Sequence, residues 1–259
     1  MTAKEIYELL LSEATELWET TCDGLIAGNE NKNVNKLGVC FKLTAELIQK
    51  ASDMGIDMVI THEGVFSHTD DRRETTDAID IKKWELLDKT GITVYRFHDH
   101  AHNTEPDYIH AGFIRDVGLK FKHRHERECL GICRYDLASP LTVREIAALI
   151  KDRLGIEFVR IVGERDLVVN TVTLGLGGVS VRRFRYLRER GGDLFITGEA
   201  PEVRDCEYIR DMCFFGEKKA VILLGHYSAE FSGMKLIAER LNKLLPTVYL
   251  DSGEVYRGI

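Results

Sequence analysis

Two pairs of segments recur in this chain, and each ends on side chains able to bind a metal. Val94-Tyr95-Arg96-Phe97-His98 and Ile222-Leu223-Leu224-Gly225-His226 are apolar runs closed by a histidine, and a second donor follows four positions later, His102 in one and Glu230 in the other. A single shift (98 to 226, 102 to 230) superposes both donor pairs. A second pair follows a slightly larger shift: Gly55-Ile56-Asp57-Met58-Val59-Ile60-Thr61-His62-Glu63 matches Gly191-Gly192-Asp193-Leu194-Phe195-Ile196-Thr197-Gly198-Glu199. Such a repeat restricts the chain to folds that build the same unit twice, a strand whose end delivers histidine and carboxylate. It predicts two related lobes.

Local patterning agrees. Residues 3–19 read as an amphipathic helix, opened by Thr2 and Glu5 at capping-box spacing. Leu37-Gly38-Val39-Cys40-Phe41 reads as a buried strand, 43–54 as a helix ended by Gly55, Met58-Val59-Ile60 as a strand, 77–89 as a helix and 92–97 as a strand. Alternation of strand and helix argues for an α/β sheet with parallel neighbours. The middle, about 120–170, is richer in strand: 130–137, 157–162 and 167–176, with a helix from Thr142 to Leu154. The alternation then resumes with helix 180–190, strand 193–197, a helix near 203–213, strand 220–224, helix 228–243 and strand 247–250. The expected fold class is therefore α/β, two similar lobes, each a mixed sheet flanked by helices. The N-terminal lobe covers 1–130 and the C-terminal lobe 131–259, with the two sheets free to fuse into one domain.

Bulk properties narrow the function classes. With 44% hydrophobic and 30% charged residues the chain has the composition of an ordinary globule. A net charge of -7 speaks against nucleic acid as the main partner. Six cysteines without a Cys-x-x-Cys pair fit free thiols in a reducing compartment. No apolar run approaches the roughly 18 residues needed to span a bilayer, and the N-terminus is no signal peptide. The reading is a cytoplasmic protein with no membrane partner.

Ligands of open α/β sheets collect at the carboxyl ends of strands, and His62, Glu63, His98, Glu199 and His226 all fall there. Imidazole and carboxylate are the donors of zinc, iron and manganese sites. His226 and Glu230, at i and i+4, share one face if a helix begins between them. A pair of cations about 3.5–4 Å apart activates water and clamps both oxygens of a displacement. Taken alone, the His-rich run 98–110 fits a solvated loop equally well, Glu230 fits a helix surface, and Glu63 and Glu199 fit helix-start carboxylates. Gly175-Leu176-Gly177-Gly178-Val179-Ser180, ahead of Arg182, Arg183 and Arg185, is an incomplete phosphate loop and fits a packing turn better. No Gly-x-Ser-x-Gly elbow supports a serine hydrolase, and no cysteine adjoins the His cluster in sequence.

Ile60-Thr61-His62-Glu63-Gly64, His98-x-x-x-His102, Ile196-Thr197-Gly198-Glu199 and Gly225-His226-Tyr227-Ser228-Ala229-Glu230 resemble the Nif-three-like family, also known as type 2 homologues of GTP cyclohydrolase I. The resemblance runs from about residue 37 to 250. It implies a two-lobed α/β fold, a dinuclear metal centre between the lobes and a toroidal homohexamer. Carried over by motif position, His62, Glu63, His98, His102, His226 and Glu230 are the implied ligands of two divalent ions, zinc, iron or manganese. This chain departs from the family pattern twice. Glu63 stands where a second histidine is expected and His102 where an aspartate is expected, with Asp99 in place of a threonine. The exchange keeps the ligand chemistry while moving it between strands.

The leading expectation is a metal-dependent hydrolase of a small phosphorylated or nucleotide-like substrate, with GTP cyclohydrolase-type chemistry as its narrower form and Glu63 as catalytic proton acceptor. The competing expectation is a non-catalytic, metal-binding oligomeric scaffold or regulatory protein.

Overall fold

Thr2 caps the first helix as its spacing to Glu5 requires: its hydroxyl accepts from the Glu5 amide, and the Glu5 carboxylate accepts from the Thr2 amide. The helix, α1 (Ala3–Leu11), is shorter than the apolar pattern predicts. It stops because the following residues find partners elsewhere, Thr15 donating its amide and hydroxyl to the Asn103 carbonyl. The structure is a computed structural model that describes residues 1–67, 71, 73–127, 129, 131–178, 181–190 and 192–256. Gly191 of the repeated segment, Leu130 of the expected strand 130–137, Val179 and Ser180 of the glycine turn, and part of the polar segment 67–77 lie outside these residues.

The chain condenses into two units, Met1–Tyr108 with Gly233–Gly253, and Ile109–Ser232 with the chain from Glu254 on. The first unit thus takes in residues 1–108 of the stretch 1–130 expected as the N-terminal lobe, together with the last strand, and the stretch from Ile109 falls in the second unit. It contains β1 (Gly24–Ala27), β2 (Leu37–Lys42), α2 (Ala45–Asp53), β3 (Met58–Glu63), α3 (Ala78–Thr90), β4 (Thr93–Arg96), the one-turn α4 (Asp99–His102) and the start of α5 (Tyr108–Val117). Its sheet has the order β1-β4-β3-β2-β11, where β11 is Thr247–Tyr249. The pairs β4–β3, β3–β2 and β2–β11 are parallel and β1–β4 is antiparallel. Strands β2, β3 and β4 are buried almost throughout, as expected of parallel strands covered on both faces. Helix α2, capped by Thr44, and α3, capped by Asp77, contribute Leu47, Ile48, Ala51, Trp84 and Leu87 to the core around Val59 and Val94. Both helices end where a glycine or a short turn releases the chain into the next strand, Gly91 adopting the left-handed conformation after α3 (φ 63°).

The second unit repeats the arrangement inside a larger sheet, adding β5 (Phe121–Arg124), β6 (Cys133–Thr142), α6 (Val143–Leu154), β7 (Arg160–Gly163), β8 (Val168–Leu174), α7 (Val181–Arg190), β9 (Leu194–Thr197), α8 (Glu207–Phe214), β10 (Ala220–Leu223) and the first residues of α9 (His226–Leu241). Its order is β5-β6-β8-β9-β10-β7. The parallel trio β8–β9–β10 corresponds to β2–β3–β4, and antiparallel neighbours extend it on both sides. Phe184 and Leu187 of α7 and Ile209 and Met212 of α8 pack with Phe195 and Val221 of the strands. The expected helix 203–213 begins as a five-residue π-helical turn, Glu202–Cys206, in which the Pro201 carbonyl accepts from both Asp205 and Cys206. Both sheets are mixed and flanked by helices. All six cysteines are free thiols. Cys133 opens β6. Among the described residues no helix is long and apolar enough to cross a membrane.

Candidate metal centre

Strand β3 ends on Thr61, His62 and Glu63, and β4 passes through Phe97 to His98 and the turn of α4. Because β3 and β4 are parallel and in register (Thr61 opposite Arg96), their carboxyl ends bring His62 beside His98. The rings stack with centroids 4.4 Å apart, and His102, one helical turn on, meets both edge-on at 5.2 and 5.4 Å. One nitrogen of each imidazole lies within 4.8 Å of the others. His62 and His102 are buried, and His98 is partly open to solvent.

The hydrogen bonds fix which ring nitrogen carries the lone pair. His62 Nδ1 lies 3.1 Å from the Phe97 carbonyl, His98 Nδ1 2.9 Å from Asp99 and His102 Nδ1 3.3 Å from Asp107. Each oxygen accepts, so each Nδ1 carries the proton and each Nε2 keeps the lone pair a metal needs. The His98 hydrogen bond in turn holds the Asp99 carboxyl well below the usual carboxylate range, helped by the Thr21 hydroxyl and the Cys22 amide. Glu63 lies 3.6 Å from His98 Nε2 and 3.7 Å from the Arg96 guanidinium, which also reaches Asp71.

The other two histidines of the run serve a different purpose. His100 spends both nitrogens inside the unit: Nδ1 donates to Asp23 (2.7 Å) and Nε2 accepts from the Trp18 amide (3.2 Å). His110, in the second unit, accepts from the Tyr135 hydroxyl and donates to the Gly131 carbonyl. Both are structural. The loop reading of 98–110 therefore gives way to two short helices with buried imidazoles.

The second unit builds a smaller set. The helix α9 begins at His226, so His226 and Glu230 do face the same way. Their Nε2 and Oε2 atoms are 3.2 Å apart, and Glu230 is buried. Two ligands about 2.0–2.1 Å from a tetrahedral ion stand about 3.3 Å apart, so the spacing suits joint coordination. Glu199, from the end of β9, accepts from His226 Nδ1 at 2.9 Å and fixes the same tautomer as in the first unit. Gly177 closes the floor with a positive φ of 91°. A Cβ there would meet Glu230 Oε1 at 2.5 Å and His226 Nε2 at 3.2 Å. The glycine run after β8 is thus a packing turn that lets backbone approach the donor pair.

Sequence reasoning named the six candidate donors, together with Glu199 and Asp99, and passed over Asp107 and Asp23. Asp107 and Asp23 gave no periodic or motif signal. Asp23 accepts from the amides of His98, Asp99 and His100 and pins the start of α4. Cys22, remote from the run in sequence, also comes within 4.8 Å of donor atoms on His98 and Asp99.

A sequence profile of Duf34/NIF3 (NGG1p interacting factor 3) matches residues 1–252. The chain belongs to this family. Among curated relatives it is similar to the GTP cyclohydrolase 1 type 2 homolog of Clostridium perfringens, 25% identical over 86% of this chain and 83% of the relative. The Streptomyces coelicolor protein of the same name is 26% identical over 73% of this chain and 67% of its own. Among solved structures, reduced HcgD from Methanocaldococcus jannaschii superposes with a TM-score of 0.79 at 20% identity, covering 96% of this chain and 98% of HcgD. Protein ybgI, of unknown function, gives 0.75 at 23% identity over 99% and 100%. The Duf34/NIF3 fold is thereby established for this chain, and the donors at its strand ends are residues of that fold.

Proposed function

We propose that this Duf34/NIF3 protein is a dinuclear metal-dependent hydrolase of a small phosphorylated or nucleotide-like substrate. The observation that carries the metal assignment is shared by four histidines. His62, His98, His102 and His226 each give Nδ1–H to an oxygen, which leaves the lone pair on Nε2, and the Nε2 atoms of His98 and His226 stand 3.6 Å from Glu63 and 3.2 Å from Glu230. Glu63 and Glu230 complete the proposed ligand set. Bound divalent zinc, iron or manganese would supply Lewis acidity and lower the pKa of water.

The chain's own residues do the rest. Asp107, Asp99 and Glu199 hold the imidazoles in the ligating tautomer. Glu63, less buried than His62 and 3.6 Å from His98 Nε2, would accept a proton from water at the site. GTP cyclohydrolase-type chemistry is a narrower form of this proposal, supported by the names of the relatives. Homohexameric assembly, supported by the family resemblance, belongs to the same proposal. Light scattering at six chain masses is its expected result.

A second reading has one observation in its favour. The Arg96 guanidinium beside Glu63 would serve equally to hold this carboxylate in a structural role, as in a metal-binding scaffold. Metal-loaded protein assayed against phosphoesters and nucleoside phosphates separates the two. Turnover that disappears in His62→Ala and His226→Ala supports the hydrolase, and metal uptake without turnover on any of them supports the scaffold.

A further inference from the structure

The second unit carries a concentration of positive charge that uses none of the proposed metal donors. Strand β5 ends on His123 and Arg124, the chain continues through His125 to Arg127, and Arg134 of β6 and Arg190 at the end of α7 face the same cleft of about 630 Å³. Among the described residues that line it, four guanidinium groups face one carboxylate, Glu126. The whole chain carries a net charge of -7, so this is a local inversion.

Edge strands do carry lysine and arginine to block pairing with other chains. Side chains serving only that purpose alternate outward along the strand, however. Here residues from a strand end, the following segment, a neighbouring strand and a helix terminus converge on one concave volume. The volume lies within the range of small-molecule sites.

The interior of the cleft is organised. Arg134 Nη2 donates to His125 Nδ1 at 3.1 Å, and His125 Nε2 donates to Asp136 at 2.9 Å, so the imidazole is fixed between a cation and an anion. The Thr171 hydroxyl reaches the same Asp136 oxygen at 3.2 Å. Arg134 Nε is buried and has no hydrogen-bond partner among the described residues. A buried guanidinium N–H without an acceptor is costly, and a planar fork of such donors matches phosphate oxygens. His123 stands edge-on to His125, ring centroids 4.5 Å apart, and adds an imidazole at the rim.

We infer that this cleft binds the phosphate groups of a small phosphorylated molecule, with Arg134 and Arg190 as its principal contacts. The volume suits a ligand of nucleotide size, and the acidic remainder of the chain disfavours a long polyanion running beyond the cleft.

Pyrophosphate titrated calorimetrically into the full-length protein tests this. Binding at about 0.1 M salt is expected to weaken about tenfold or more in Arg190→Gln, an exposed position where the fold is not at stake, and likewise in Arg134→Gln. Arg144→Gln, an exposed arginine outside the cleft lining, is expected to leave it unchanged. Equal affinity in both cleft arginine variants would overturn the inference. So would loss of binding in His226→Ala alone, which would place the anion at the metal donors. A 20-nucleotide single strand that bound more tightly than pyrophosphate and was released by the same arginine substitutions would replace the small ligand with nucleic acid.

Discussion

The two donor sets are built on one plan and tuned in opposite directions. In each unit a parallel strand ends on threonine, His or Gly, and glutamate: Thr61-His62-Glu63 on β3 and Thr197-Gly198-Glu199 on β9. Both threonines are fully buried and tie their hydroxyls to neighbouring backbone, Thr61 to the Leu43 amide and the Glu63 carbonyl, Thr197 to the Gly177 carbonyl. In each unit the next parallel strand ends on a histidine followed at i+4 by a second donor on a helix. The first unit places three imidazoles together. The second has one imidazole between two carboxylates, with a glycine where the first has His62. Strand-end geometry is thus a reusable frame, while the side chains placed on it set hardness and charge. An imidazole-rich set favours zinc or iron, and a carboxylate-rich one tolerates harder ions such as manganese.

The largest expected contrast is between the two glutamates. Glu63→Gln is expected to lose turnover by at least 100-fold while metal in the first set is weakened but not lost, because the proton acceptor is gone and three imidazoles remain as ligands. Glu230→Gln is expected to lose metal from the second set, because it removes a buried ligand. Steady-state kinetics beside elemental analysis read both, and identical behaviour of the two variants would erase the distinction.

Next come the orienting carboxylates. Asp107→Asn and Glu199→Gln each weaken metal affinity by roughly 10- to 100-fold in competition with a chelator, through the imidazole they align. Gly177→Ala has no counterpart in the first unit. Its Cβ collides with Glu230 at a backbone conformation unfavourable to alanine, so about 1–3 kcal/mol of stability is lost in urea unfolding, together with metal from the second set only. The smallest effect is shared. Thr61→Val and Thr197→Val each destabilise by about 1 kcal/mol, and a large difference between them would break the equivalence of the two frames.

The frame itself was legible in the sequence because it rests on local patterning. Apolar runs of four to six residues followed by donors mark β3, β4, β9 and β10, and the caps at Thr2 and Thr142 show in their spacing to Glu5 and Glu145. What escaped depends on distant partners. β1 is an antiparallel edge strand whose only sheet neighbour among the described residues is β4, and its half-exposed residues have no strong period. The early end of α1 is set by Asn103. Asp107, Asp23 and Gly177 acquire their roles from side chains brought near by the fold, Gly177 from a glutamate 53 positions later (177 to 230). The hydrogen-bond partners of His62, His98, His102, His100 and His110 likewise come from amide, hydroxyl, carbonyl and carboxylate positions that no spacing rule encodes.

The central claim is that each frame holds a cation. Elemental analysis of protein purified without chelator, beside His62→Ala and His226→Ala, tests it most directly. The account predicts close to two divalent ions per chain in the parent protein and close to one in each variant. A parent protein with no stoichiometric metal, or one whose metal content neither substitution changes, would contradict it.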